Sequence, residues 1–162
     1  MLSLPAVALS RLPKLTRLRM AYNRIGALDS DILKSVQGLV ELSLAYNIIR
    51  EIPRGTFEDL KKLKILNLYG NKIDALDAST FTGIENTLEY MDLGFNIISR
   101  VDALSYPKVR FLNLERNMIK DISGVFNNLR SLQVIIGSFF FHLLVHNFIM
   151  KQKSSYGHIF LL

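Results

Sequence analysis

The sequence predicts an α/β solenoid, in which each turn of a coil adds one strand to a shared parallel sheet. Three observations predict it. A frame of six slots, five apolar and one asparagine, is filled five times along the 162 residues. The copies follow one another at spacings of 21 to 25 residues. The second halves carry a different, helix-like apolar spacing, as at Leu33 and Val36, Phe57 and Leu60, and Phe81 and Ile84.

The clearest copy reads Leu39, Leu42, Leu44, Asn47, Ile49, Ile52. Before it comes Leu15, Leu18, Met20, Asn23, Ile25, Leu28, and after it Leu63, Leu66, Leu68, Asn71, Ile73, Leu76. The fourth is Leu88, Met91, Leu93, Asn96, Ile98, Val101, and the fifth Val109, Leu112, Leu114, Asn117, Ile119, Ile122. In a chain that is 49% apolar, filling 25 apolar slots by chance has odds on the order of 10⁻⁸. The pattern LxxLxLxxNxIxxL at this period resembles a leucine-rich repeat, and the resemblance covers about Leu4 to Ile135. It implies a curved right-handed coil with the sheet on the concave face and short helices and turns on the convex face. The segments Ile52-Pro53-Arg54-Gly55-Thr56-Phe57 and Leu76-Asp77-Ala78-Ser79-Thr80-Phe81 are similar to the long Phe-containing repeats of cell-surface members. That resemblance implies part of the ectodomain of an adhesion or receptor protein. An intracellular scaffold or a regulatory subunit that docks an enzyme is the alternative.

Residues 1–14 read as the second half of a truncated repeat. Leu4 aligns with Ile52, Pro5 with Pro53, Leu9 with Phe57 and Leu12 with Leu60. The chain therefore reads as a piece of a longer protein. Met1 to Ala8 lacks the basic start and long apolar run of a secretory leader. Residues 15–135 hold the repeats, with Leu132 and Ile135 starting a sixth. In the fourth repeat the Asn-to-Asn spacing shrinks to 21 residues, so a local change of curvature is expected near Asp102 to Pro107.

Residues 136–162 form a divergent hydrophobic tail. Gly137 takes a Leu slot and Phe140 the Asn slot. Three readings stand: a degenerate last repeat that caps the sheet, a foreign tail, or a membrane segment from Val134 to Met150. The last is short for a span and carries His142, His146 and Asn147, all costly in lipid.

Alternation along each strand sorts its residues. Leu42 and Leu44 point inward. The expected concave columns are Arg17, Glu41, Ile65, Tyr90, Phe111, Val134, and beside it Arg19, Ser43, Asn67, Asp92, Asn113, Ile136. Next come Ala21, Ala45, Tyr69, Gly94, Glu115, then Tyr22, Tyr46, Gly70, Phe95, Arg116. The partner surface is assigned to Arg17, Arg19, Glu41, Ile65, Asn67, Tyr69, Tyr90, Asp92, Phe111, Asn113 and Glu115, around the apolar stripe of Ile65, Tyr90 and Phe111. Tyr22, Tyr46 and Phe95 are assigned to packing. Asn23, Asn47, Asn71, Asn96 and Asn117 are structural: each amide offers donors and an acceptor to backbone groups left unpaired where the strand ends. Leu9, Leu33, Phe57, Phe81 and Phe126 are expected to form an outer spine.

Chemistry is not expected. With no cysteine there is no disulfide framework, thiol nucleophile or CxxC zinc site, nor the Cys-rich caps usual in secreted members of the family. Asn86-Thr87-Leu88 fails the glycosylation sequon. No glycine-rich phosphate loop or GxSxG elbow occurs. His142 and His146 are four apart but lack further ligands in pattern. The net charge of +6 is mild. Its basic residues are scattered apart from Arg11, Lys14, Arg17, Arg19 and Arg24 before the first acid, Asp29. Aromatics and cations do not interleave as in nucleic-acid modules. The expected partner is a protein, with no cofactor, metal, small-molecule substrate or nucleic acid, outside the cell or at its surface, or in the alternative reading in the cytoplasm.

Overall fold

A computed structural model describes residues 2–77, 79–101, 106–121, 129–137 and 160–161. Seven short strands make one parallel sheet: β1 (Arg17–Arg19), β2 (Glu41–Ser43), β3 (Ile65–Asn67), β5 (Tyr90–Asp92), β7 (Phe111–Asn113), β8 (Val134–Ile136) and β9 (Phe160–Leu161). A second, two-stranded parallel sheet joins β4 (Ala75–Leu76) to β6 (Arg100–Val101). The register follows the repeat frame, with Arg17 beside Glu41, Glu41 beside Ile65, Ile65 beside Tyr90, Tyr90 beside Phe111 and Phe111 beside Val134. Two inward leucines per strand explain why three residues suffice. Leu42, Leu44, Leu66 and Leu68 are fully buried, and each turn hides its apolar face against the next.

The outer layer is made of one-turn elements. Helices α1 (Ala6–Ser10) and α2 (Ser30–Lys34) serve the first two turns. α2 starts where the Asp29 side chain accepts the Asp31 N–H at 2.9 Å. In the next turns Pro53 and Asp77 occupy the same slot as Asp29, and the chain runs through turns instead of helix. The Thr56 hydroxyl donates to the Pro53 carbonyl, and Asp77 accepts the Ser79 N–H.

The outer spine holds Leu9, Leu33, Phe57 and Phe81, all buried, with the Phe57 and Phe81 rings stacked at 5.8 Å. Its next member is Tyr106, 2% exposed, edge-on to Phe81 at 5.9 Å. The repeat frame predicts no ring there, because the short fourth repeat shifts the numbering. Phe126 lies outside the described residues. So do residues 102–105, where the change of curvature was expected. Leu12, aligned with the fully buried Leu60, is 48% exposed.

The tail shows one described feature. Val134–Ile136 is a strand of the main sheet, where the membrane reading places the start of a span, and Phe160–Leu161 pairs with it in parallel. Residues 138–159, with most of that segment and all three histidines, lie outside the described residues. Among the described residues no helix is long and apolar enough to cross a membrane.

Candidate concave binding face

After β2, β3, β5 and β7 an asparagine ties two turns together. The Asn47 amide nitrogen donates to Leu44 in its own turn and to Met20 in the turn before, both at 2.9 Å, while its oxygen accepts the Ile25 N–H at 3.0 Å. Asn71, Asn96 and Asn117 repeat this, accepting from Ile49, Ile73 and Ile98 and donating back to Leu44, Leu68 and Leu93. Asn23 is exposed and bonds only Met20 and Ala21, its own turn.

The ladder holds the strands so that their outward residues line up. In the first column Arg17 is exposed and Glu41 is half-buried between cations. Arg19 grips Glu41 with Nε and, at 3.1 Å, with its terminal nitrogen. Arg17 reaches the same carboxylate at 3.8 Å. The Arg19 hydrogen bond holds the Glu41 carboxyl below the usual carboxylate range, and Glu41 in turn raises Arg19. Further along, Ile65 is 36% exposed, and Tyr90 and Phe111 are half-buried. The last two rings are almost coplanar in orientation, 3° apart, with centroids at 4.3 Å.

The second column departs from expectation. Alternation assigns Asp92 and Asn113 as open contact residues, yet they are only 8% and 4% exposed. Their side chains fold back onto the backbone. Asn67, Asp92 and Asn113 accept the N–H two residues on, from Tyr69, Gly94 and Glu115, at 3.0, 3.2 and 2.9 Å. Polar residues of this length prefer such local bonds at a strand end. Burial pushes the Asp92 carboxyl up. The Gly94 N–H, the Asn113 amide and the Tyr90 hydroxyl pull the other way, while the charge of Glu115 adds to the rise.

Tyr69 is half-buried rather than open. Its ring lies toward the edge where the strands run out, between Tyr46 at 5.3 Å and Phe95 at 5.0 Å. Burial, with nearby Glu115 and Tyr46, pushes its hydroxyl up to about 12. Tyr22 stacks on Tyr46 at 4.4 Å, and Arg116 sits over Phe95 at 5.1 Å. These rings pack on one another, as assigned, but Tyr22, Tyr46 and Phe95 also stay 76%, 42% and 42% exposed. Gly70 and Gly94 make the room: a Cβ on Gly70 would meet the Tyr46 ring at 2.8 Å, and one on Gly94 the Tyr69 ring at 3.0 Å. Tyr22, Tyr46, Phe95 and Arg116 have φ of 50–57°, a left-handed conformation costing about 1–2 kcal/mol per residue for side chains with a Cβ.

The whole frame matches a known profile. The family model for the leucine rich repeat matches residues 13–73, 37–98 and 61–119. The chain belongs to the leucine-rich-repeat family. It is 34% identical over 119 residues to leucine-rich repeats and immunoglobulin-like domains protein 1 of Homo sapiens, covering 72% of this chain and 11% of that protein. It is 33% identical over 117 residues to podocan of Mus musculus, covering 67% and 19%. Such relatives are secreted or cell-surface leucine-rich-repeat proteins. Among solved structures, the TLR13–ssRNA13 complex superposes with a TM-score of 0.71 at 30% identity, over 83% of this chain and 20% of that one. The chain thus spans a small part of each of these proteins.

Proposed function

We propose that this leucine-rich-repeat chain is a protein-binding segment of a secreted or cell-surface protein, and that its partner docks on the concave sheet. The observation that carries this reading is the Tyr90–Phe111 pair: two parallel rings 4.3 Å apart on the open side of the sheet, in line with exposed Ile65. Large rings already ordered by each other lose little freedom on binding and serve as anchors. Arg17 and Glu41 form the charged end of the same column, with Arg19 of the next column paired to Glu41. Asn67 and Glu115 flank it, while Asp92 and Asn113 hold the strand ends beneath.

The test is a crosslinking capture of partners by the chain displayed on cells. Partners lost with Tyr90→Ala plus Phe111→Ala, but kept with Lys61→Ala plus Lys62→Ala, dock on the concave face. The circular-dichroism melt of the aromatic double variant should stay close to that of the parent. An unchanged set of partners removes the concave reading. Single-stranded RNA, the component bound to TLR13 in the matching complex, belongs in the same experiment as a competitor.

A further inference from the structure

Among the described residues, most of the large exposed hydrophobics gather at the edge where the strands run out. Among the described residues nine large hydrophobics are exposed. Leu2, Val7 and Leu12 lie at the N-terminal end, and Ile65 lies on the concave face. The other five, Tyr22, Tyr46, Phe95, Ile97 and Met118, share the edge. They stand in the two columns that flank the asparagine ladder, whose register the backbone sets. Tyr22, Tyr46 and Phe95 donate their N–H to Ala45, Tyr69 and Glu115 of the next turn, and Ile97 and Met118 donate theirs to Ile73 and Ile98 of the turn before.

The rings are not needed to make this edge. Gly70 occupies the same slot in the third turn, with φ 68°, and donates the same bond, to Gly94. The turn forms without a side chain, yet three other turns hold a bulky aromatic there in a conformation such residues rarely adopt. The left-handed φ recurs in all five copies of the slot, so the fold requires the turn and not the ring. Bulky exposed rings placed where glycine serves mark a surface with another use.

We propose that this edge is a second docking surface, distinct from the concave face, and that it takes an acidic polypeptide segment bearing apolar or aromatic side chains. Charge selects the acid. The two columns contain Arg24, Lys72 and Arg116, all exposed, and no Asp or Glu; Glu115 stands one column inward. Ring geometry selects polypeptide over nucleic acid or sugar. Bases and saccharides stack on free ring faces, but here Tyr46 is held between Tyr22 and Tyr69, and Phe95 between Tyr69 and the Arg116 guanidinium, which leaves the outer face of Tyr22 as the open one in the row. Ring edges, hydroxyls and the flanking Ile97 and Met118 remain, which suit side-chain anchors. The opposite edge is basic without this apolar content. Its Lys61, Lys62, Lys64 and Lys108 line a hollow of about 390 Å³ together with Glu89, which pairs with Lys64 at 2.9 Å. Lys61 and Lys62, outside that pair, supply an internal control for plain charge attraction.

The probe is a fluorescent random copolymer of glutamate and tyrosine, measured by anisotropy beside polyglutamate. The copolymer should bind more tightly than polyglutamate. Tyr46→Asn plus Phe95→Asn should weaken it about tenfold or more, the effect of losing aromatic anchors. Asn tolerates the left-handed backbone, so the fold is kept, and circular dichroism checks it. Lys61→Gln plus Lys62→Gln, and Tyr90→Ala plus Phe111→Ala, should leave copolymer binding within about twofold, as expected for changes outside the site. Equal binding of polyglutamate, an unaffected Asn variant, or an equal loss with the lysine pair overturns the proposal. So does stronger competition by polyuridylate than by polyglutamate, while loss only in the Tyr90/Phe111 variant assigns the peptide to the concave face.

Discussion

The side-chain amide of Asn71 donates to the carbonyl of Leu44, 27 residues upstream, at 3.0 Å. One residue thus closes its own turn and fastens it to the turn before. Asn71→Ala would leave the Leu44 carbonyl and the Ile49 N–H without that partner inside the core. We expect a loss of about 1–3 kcal/mol. Asn23→Ala should cost less, because Asn23 is exposed and bonds only its own turn. Urea unfolding of both variants checks the order, and equal losses would contradict the ladder's inter-turn role.

Tyr106 and Leu12 depart from the repeat frame in opposite directions. Tyr106→Ala removes a buried ring from the spine beside Phe81 and should cost about 3–5 kcal/mol. Leu12→Ala acts on a side chain 48% exposed and should stay within about 0.5 kcal/mol. Thermal melts of the two variants separate these effects.

Gly83 meets the preceding turn backbone to backbone. Its φ is 102°, and a Cβ there would lie 2.5 Å from the Glu58 Cα. Gly83→Ala should destabilise by about 2 kcal/mol or more, since neither backbone is the free end of a side chain that can swing away. A melt unchanged from the parent would show that the turn relaxes.

Asp92 provides a pH prediction. Burial raises its folded pKa, so between the ordinary aspartate range near pH 4 and that raised value the folded state holds a proton the unfolded chain has lost. Stability from this group is therefore fully present at low pH and falls as pH rises through that window. Asp92→Asn removes the fall. Asn67 and Asn113 already make the equivalent turn with an amide. The melting temperature of the variant relative to the parent should climb with pH across the window and then level off. A difference that does not vary with pH would remove the buried-carboxylate account.

Much of the fold was legible because a solenoid is nearly one-dimensional. Each slot meets its counterpart one repeat away, so the outward column Arg17–Glu41–Ile65–Tyr90–Phe111–Val134 could be written from spacing alone. The site was less legible. Asp92 and Asn113 stand in an outward column, but their bonds to Gly94 and Glu115 fold them into the surface. Alternation tells which side a residue leaves the strand, not whether its side chain bends back. Ile97 and Met118 escape a reading that stops at the asparagine, though exposed Ile and Met one residue past Asn are a readable signal.

By itself the sequence determined the repeat frame, the strand register and the asparagine ladder, because these depend on contacts between equivalent positions of neighbouring turns. Only the tertiary structure decided which rings stay open. Tyr69 lies over Gly94 and Tyr46 over Gly70, while Tyr22, Tyr46 and Phe95 stand out on left-handed backbone. Their exposure depends on the volume left by neighbours and on the sign of φ, neither of which a one-dimensional pattern of apolar and polar residues carries.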